Sequence, residues 1–167
     1  EALGNVIEGN AVRYLNVTSE EIKAASASSI KDNHPVWFGC DVGKHFDRKI
    51  GVMDIDLFDF NSFYQSKFSM DKADRLQYGE SQMTHAMLFT GVDIDADDKP
   101  IKWRVENSWG DKVGEKGYHI MSDEWFDEYN YEVVVHKDYL PDDLYNLYKN
   151  EKAIALKPWD PMGSLAK

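Results

Sequence analysis

Two polar residues, His85 and Asn107, lie at the ends of neighbouring apolar segments, and together they could carry out acid–base chemistry. His85 is in a strand-like segment, Thr84–Thr90, and Asn107 follows a second such segment, Ile101–Val105. Two strands joined by a turn run antiparallel, which brings the start of the first close to the end of the second. A histidine oriented by a side-chain amide is the base half of a site that uses a cysteine nucleophile.

The cysteine of this sequence, Cys40, is not predicted to be that nucleophile. It lies within an apolar segment, Val36–Val42, whose β-branched and aromatic residues predict a strand. Reactive cysteines are favoured at helix N-termini, where the helix dipole stabilises the thiolate, whereas free cysteines are commonly buried small apolar residues. We therefore expect Cys40 to be buried and structural.

Several segments together indicate a family. They are Thr84-His85-Ala86, Glu106-Asn107-Ser108-Trp109-Gly110, Gly114–Tyr118, His34–Lys44 and the C-terminal segment Lys157–Lys167. The first three resemble the histidine and asparagine segments of papain-like cysteine peptidases. The last two are similar to the bleomycin hydrolase and aminopeptidase C branch of that family, and the resemblance covers nearly the whole chain.

The resemblance implies roles for individual residues. His85 would be the general base, Asn107 would orient it, and Trp109 resembles the tryptophan that covers the histidine–asparagine hydrogen bond. In this family the nucleophile lies far upstream of the histidine, in a glutamine-to-cysteine motif that this sequence lacks. We therefore expect the catalytic cysteine to lie outside this chain and the chain alone to be inactive. The first residue, Glu1, agrees with a fragment or a processed piece.

The C-terminal segment is predicted to recognise the end of the substrate. The resemblance implies a catalytic half at residues 1–156 and a tail at residues 157–167 that enters the active-site cleft. There the terminal carboxylate would pair with the free α-amino group of a peptide. The residues expected to recognise the substrate's N-terminal end are Gly163, Ser164, Leu165, Ala166 and Lys167. Loss of Lys167 would shift the terminal carboxylate by one position. The alternative is a disordered tail, because chain termini usually fray.

The elements that position these residues are predicted to form an α+β fold with short flanking helices. Thr18 and Glu21 form a capping-box pattern that begins a helix ending near residue 30. Ser69 and Ser122 are predicted N-caps of two short helices, and Pro141 opens a further helix.

The resemblance implies that the strands form an antiparallel, partly barrel-like sheet. The predicted strands are residues 6–7, 12–17, 36–42, 84–90, 101–105, 118–121 and 131–137. Residues 43–60 are predicted to be a loop. The aromatic residues expected to pack against a neighbouring segment are Phe58, Phe60, Phe63, Tyr64 and Phe68.

Length and charge exclude some classes of function. With 167 residues the chain can form one domain with a core, and its net charge of −11 argues against nucleic-acid binding through this part. No apolar segment approaches the roughly 20 residues of a membrane span. A single cysteine cannot form an internal disulfide, which fits a reducing compartment such as the cytoplasm.

An acidic segment at residues 93–98 partly resembles a calcium-binding loop. Aspartates at positions one, three and five match an EF-hand that starts at Asp93. However, position six is Asp98 rather than glycine, and position twelve is Arg104 rather than glutamate. The segment is therefore predicted to be a solvent-exposed turn, and neither a metal nor another cofactor is expected.

The resemblance thus implies part of a cytoplasmic cysteine aminopeptidase that cleaves peptides through a thioester acyl-enzyme. The resemblance implies three partners, namely peptide substrates, the remaining N-terminal part of the peptidase, and identical subunits in a homohexamer. The alternative is a non-catalytic binding or assembly module derived from the peptidase fold. A binding protein that has lost its cysteine is a third hypothesis, which the intact His85 and Asn107 argue against. An upstream Gln…Cys motif before a helix would discriminate among these hypotheses.

Overall fold

Helices and strands alternate irregularly along the chain in the computed structural model, which describes residue 8, residues 12–157 and residues 159–162. The strands within these ranges are β1 Val36–Cys40, β2 Phe46–Asp47, β3 Val52–Met53, β4 His85–Ile94, β5 Pro100–Glu106, β6 Tyr118–Ser122 and β7 Asn130–Val134. The α-helices are α1 Ser19–Lys31, α2 Phe60–Tyr64, α3 Lys72–Gln77, α4 Asp123–Tyr129 and α5 Asp142–Asn150, and single 3-10 turns occur at Ile55–Leu57 and Lys137–Tyr139.

The seven strands form one curled sheet in the order β2-β3-β6-β5-β4-β1-β7. Every neighbouring pair is antiparallel except β3 and β6, which are parallel. The predicted α+β fold with a strand-rich sheet is therefore confirmed. The predicted loop at residues 43–60 is wrong, because it contains β2 and β3. These two-residue strands have no periodicity of their own, and β3 forms because Val52 and Met53 pair with residues of β6.

The β4–β5 hairpin brings the two candidate catalytic segments together. His85 begins β4, and Asn107 directly follows β5. Because Leu88 pairs with Glu106, both residues lie at the same end of the hairpin. The acidic turn between the strands is solvent-exposed, as predicted. The carboxylate of Asp95 accepts backbone N–H bonds from Asp97 and Lys99, both at 2.9 Å. This side chain therefore closes the turn.

The core lies on the face of the sheet formed by alternate residues of β1, β4 and β5. Phe38 and Phe89 stack with ring centroids 3.7 Å apart, and Trp103 and Phe126 pack next to them. All four side chains are fully buried. Burial of large aromatic surfaces supplies much of the free energy of folding, and here it lies directly beneath the hairpin.

The helix N-caps test the local predictions. The capping box of Thr18 and Glu21 is confirmed, and Ser122 caps α4 as predicted. The N-cap at Ser69 is wrong, because Asp71 caps α3 instead and its carboxylate accepts the N–H of Asp74 at 2.8 Å. The carboxylate of Asp71 therefore caps α3 in place of the predicted hydroxyl of Ser69, two residues earlier. Helix α5 begins directly after Pro141.

The strand predictions near the chain termini are less accurate. Residues 6–7 lie outside the described residues. Residues 13–17 have no regular structure, and only Val12 has a bridge assignment, so the predicted strand at 12–17 is wrong. Strand β7 ends at Val134 rather than 137, because a 3-10 turn begins at Lys137. Within the described ranges, no helix is long and apolar enough to cross a membrane.

The aromatic residues around α2 do not pack as predicted. Phe63 is 78% exposed, and Tyr64 and Phe68 are also exposed. Local hydrogen bonds set this arrangement: Asp59 accepts the N–H of Ser62, and Asn61 accepts the N–H of Phe68. The remaining two, Phe58 and Phe60, contact the ring of His45 and are 45% and 43% exposed. We call residues 58, 60, 63, 64 and 68 the aromatic surface.

A buried ion pair joins α1 to α4. The ammonium of Lys23 donates to Asp123 at 2.7 Å and to Asp127 at 2.9 Å, and its side chain is 6% exposed. Asp123 also accepts the indole N–H of Trp103 at 3.0 Å. Burial acts to lower the pKa of Lys23, but the hydrogen bonds to the two carboxylates outweigh this effect and raise it. The network therefore connects both helices to the aromatic core.

Replacement of Asp123 by alanine should lower the free energy of unfolding by about 3 kcal/mol, because it leaves a buried ammonium and a buried indole N–H with fewer partners. The measurement is urea-induced unfolding. The matched control is Lys31→Ala, which removes an equally short pair with Asp98 whose side chains are 44% and 71% exposed. That change should cost less than about 1 kcal/mol. Equal losses in the two variants would contradict this account.

Candidate active site

His85 and Asn107 meet at the open end of the hairpin. Nε2 of His85 lies 2.8 Å from Oδ1 of Asn107, and both side chains are partly buried. The β4–β5 pairing explains this contact, since it places the first residue of β4 and the residue that follows β5 at the same end of the hairpin. The structure therefore brings together the two residues that the sequence predicts to meet.

The backbone of Ser108 determines which imidazole nitrogen carries the proton. Its N–H donates to Oδ1 of Asn107 at 2.8 Å, and because an N–H can only donate, the atom it contacts must be the oxygen. The same oxygen contacts Nε2 of His85, so Nε2 must be the donor. In the neutral ring Nδ1 is then left as the acceptor. The arrangement thus prepares His85 to take a proton at Nδ1.

Trp109 covers this pair. Its ring stacks on the ring of His85 with centroids 5.0 Å apart and an interplanar angle of 30°. The guanidinium carbon of Arg48 lies 4.6 Å from the Trp109 ring centroid, a cation–π contact, and Phe46 packs nearby at 6.2 Å. Arg48 and Phe46 were missed because the sequence places them in a predicted loop. No local signal indicates that this segment reaches Trp109.

Gly114 allows the loop after Trp109 to close against β6. Its φ of +62° favours glycine, and a Cβ built there would lie 2.3 Å from the carbonyl oxygen of Tyr118 and 2.6 Å from Nδ1 of His119. The backbone N–H of Asn107 donates to the carbonyl of Gly117 at 3.2 Å. The glycine-rich loop therefore holds the backbone of Asn107 in place.

Cys40 is buried, as predicted. It pairs with His85 across β1 and β4, but its side chain is 0% exposed. Burial, with a smaller contribution from the charge of Asp41, raises the pKa of the Cys40 thiol well above its ordinary value. A raised pKa disfavours the thiolate, which is the reactive form. Cys40 is therefore unsuited to act as a nucleophile.

The tail is described only as far as Met162 and without Pro158, so Gly163–Lys167 lie outside the described residues. Trp159 and Pro161 line a shallow pocket of about 250 Å³. The opposite wall is formed by residues 76–79 and 81–83, and the last of these, Met83, is two residues before His85. The described end of the tail is thus next to the segment that leads into the histidine strand.

The acidic residues of the predicted loop cap helical turns. Asp54 accepts the N–H of Asp56 at 2.9 Å, and Asp59 accepts the N–H of Ser62 at 3.0 Å. Over the ranges given above, no group of three or more histidine, cysteine, aspartate or glutamate side chains is arranged to hold a metal ion.

A strand-rich α+β sheet that presents a histidine, its asparagine partner and a covering tryptophan defines a class, the papain-like cysteine peptidases. The comparison with family models agrees. Residues 1–163 match the model described as the Peptidase C1-like family, and the chain belongs to that family.

Curated relatives and a solved structure support this assignment. An aminopeptidase C of Listeria innocua serovar 6a is 51% identical over 164 residues, covering 98% of this chain and 37% of the relative. A bleomycin hydrolase of Gallus gallus is 50% identical over 170 residues, covering 100% of this chain and 37% of the relative. The crystal structure of PepW from Lactobacillus rhamnosis matches with a TM-score of 0.94 and 51% identity, over 98% of this chain and 37% of that one. The chain therefore spans a little over a third of the length of these relatives.

The hydrogen bond between His85 and Asn107 can be observed directly. We expect a slowly exchanging Nε2–H proton of His85 in NMR spectra of ¹⁵N-histidine-labelled protein, because Asn107 shields this proton from water. In Asn107→Ala the signal should exchange rapidly and disappear. The matched control is Asn146→Ala, at an exposed position of α5, which should leave the signal unchanged. A His85 proton that stays protected in Asn107→Ala would refute the assignment.

Proposed function

We propose that this chain is the C-terminal part of a cysteine aminopeptidase that removes N-terminal residues from peptides through a thioester acyl-enzyme. The observation that carries the proposal is the 2.8 Å contact between His85 Nε2 and Asn107 Oδ1, together with the proton position that Ser108 imposes. The relatives named aminopeptidase C and bleomycin hydrolase support the substrate class.

His85 is proposed to act first as a base and then as an acid. Nδ1 takes the proton of a cysteine thiol supplied by the part of the protein outside this chain, and the thiolate attacks the carbonyl carbon of the scissile peptide bond. The tetrahedral intermediate collapses to a thioester as Nδ1 returns the proton to the leaving amine. A water molecule, deprotonated by His85, then hydrolyses the thioester and regenerates the thiol.

Asn107 and Trp109 are proposed to support these steps without contacting the reacting atoms. Asn107 keeps the ring in the tautomer that leaves Nδ1 free, and its oxygen stabilises the imidazolium formed after proton transfer. Trp109 stacks on the ring and, as the proposed cover of the hydrogen bond, limits access of water to it. A hydrogen bond shielded from water is stronger than an exposed one.

The remaining parts of the proposal concern the whole protein. The part outside this chain supplies the cysteine and a glutamine that helps bind the oxyanion. Residues 1–156 form the histidine-bearing half and residues 157–167 form the tail. The full-length protein is proposed to be a cytoplasmic homohexamer.

A non-catalytic assembly module is the second candidate. The aromatic surface favours it, because contiguous exposed aromatic side chains commonly mark an interaction site. The two candidates differ in whether the full-length protein hydrolyses peptide bonds.

Turnover of an aminoacyl-coumarin substrate by the full-length protein tests the function. His85→Ala should lower kcat by roughly 10²–10⁴-fold, because general base catalysis is lost. Asn107→Ala should lower it roughly 100-fold, because the ring is misplaced. The control His136→Ala, at a largely exposed side chain, should retain wild-type kcat.

Two results would contradict this proposal. A full-length protein that hydrolyses no peptide substrate would favour the assembly module. Turnover by the present chain alone, stopped by alkylation of Cys40, would reassign the nucleophile.

The tail is proposed to set the exopeptidase specificity. Trp159 and Pro161 line a pocket next to Gln82 and Met83, which supports an anchor close to His85. Residues Gly163–Lys167 would then extend toward the substrate, where the terminal carboxylate pairs with a free α-amino group. A peptide with a blocked N-terminus would lack that pairing.

Deletion of Gly163–Lys167 from the full-length enzyme should lower kcat/KM for substrates with a free N-terminus and allow cleavage inside N-acetylated peptides. Mass spectrometry of the products measures both effects. The matched control is Lys167→Ala, which keeps the tail length and the terminal carboxylate and should preserve aminopeptidase action. An unchanged cleavage pattern after the deletion would show that the tail has no such role.

A further inference from the structure

Asp41 is a buried carboxylate at the end of β1. Its exposure is 6%, and no lysine, arginine or histidine among the described residues forms an ion pair with it. A carboxylate without a countercharge is costly to bury unless hydrogen bonds replace the lost water. Donors on one short segment of the chain provide these hydrogen bonds.

That segment is Ser81–Thr84, the four residues directly before His85, which we call the lead-in segment. The hydroxyl of Ser81 donates to Oδ2 of Asp41 at 2.8 Å, and the N–H of Gln82 donates to the same oxygen at 3.3 Å. The hydroxyl of Thr84 lies 3.5 Å from Oδ1. Both carboxylate oxygens of Asp41 therefore contact the lead-in segment.

Tyr131 extends this network from β7. Its hydroxyl lies 2.5 Å from Oγ of Ser81. Burial raises the pKa of Tyr131 to about 12, so the hydroxyl remains protonated and donates to Ser81, which in turn donates to Asp41. Hydrogen bonds to an ionised acceptor are stronger than those between neutral groups. The negative charge of Asp41 thus orients the whole chain of donors.

The register of the sheet shows what the network fixes. Cys40 pairs with His85 across β1 and β4, and the N–H of Thr84 donates to the carbonyl of Cys40 at 2.9 Å. Asp41 directly follows Cys40, the last residue of β1. Its hydrogen bonds therefore hold the lead-in segment at the point where His85 begins β4. Strand ends open more readily than strand centres. The carboxylate therefore anchors the backbone at the position where the proposed general base needs a fixed location.

We propose that Asp41 is a positioning residue for His85, acting through the buried hydrogen bonds of its carboxylate to the lead-in segment. The inference rests on the proposed function. Asn107 fixes the ring of His85 and Asp41 fixes its backbone, so each controls a different part of the same residue. Small displacements of a catalytic group have large effects on rate, about 100-fold for 1 Å.

The test compares Asp41→Asn and Asp41→Ala in the full-length enzyme, with kcat calculated per active site after titration with a thiol alkylator. The asparagine keeps the size and one acceptor oxygen but loses the charge. We expect kcat to fall roughly 100-fold in Asp41→Ala and roughly tenfold in Asp41→Asn. In both variants KM should stay within about twofold of the wild type, because substrate contacts are retained.

The matched control is Asp123→Ala, which disrupts a buried network elsewhere and should lower stability while leaving kcat per active site unchanged. A loss of stability in Asp41→Asn with kcat within twofold of the wild type would overturn the proposal. If Asp41→Ala does not fold, Asp41→Asn and Ser81→Ala still decide the question. Each of these two variants should lower kcat without changing KM, and unchanged kcat in both would count against Asp41.

A second measurement separates this proposal from the proposed function. If the wild-type enzyme hydrolyses no peptide, the proposed function fails, and exchange of the His85 Nε2–H proton becomes the readout for Asp41. Asp41→Asn should accelerate that exchange, since a looser backbone lets the bond to Asn107 open more often. Unchanged exchange would show that Asp41 does not position His85.

Discussion

The backbone N–H of Ser108 determines how the hydrogen bonds of the site are arranged. A backbone N–H cannot accept a hydrogen bond, so it determines the orientation of the Asn107 amide, and the amide determines the tautomer of His85. Each step depends on the previous one, and the first depends only on the path of the chain after β5. The tautomer of the neutral His85 ring is thus controlled by backbone geometry.

That geometry depends in turn on the register of the hairpin. Phe89 pairs with Val105, and both side chains are fully buried. A slip of one strand by one residue would turn its buried side chain to the opposite face and expose it to water. The same slip would also separate His85 from Asn107. The hydrophobic core beneath the hairpin therefore maintains the alignment of the site, and Trp109 packs directly against that core.

Features that depend on residues close together in the sequence could be predicted. The alternation in β4 and β5 placed His85 near Asn107, and the capping box of Thr18 located the start of α1. Asp41 and Arg48 were missed as parts of the site because their roles arise from contacts with residues 40 and 61 positions away. No periodicity or spacing marks such contacts. The strands β2 and β3 were missed for the same reason, since they exist only as partners of other segments.

The aromatic surface differs from the prediction for another reason. A cluster of phenylalanines predicts burial, but side chains of Asp59 and Asn61 satisfy the local backbone and leave the rings facing outward. Sequence composition indicates that apolar surface will be covered, yet it does not indicate which chain will cover it. The described residues leave it uncovered.

The burial of Cys40 has a practical consequence for chemical labelling. A thiol that is enclosed by the core and held in its protonated form does not compete for electrophilic reagents. This chain is therefore unreactive toward thiol-directed probes under native conditions. Reaction of Cys40 with such a probe signals that the sheet has opened.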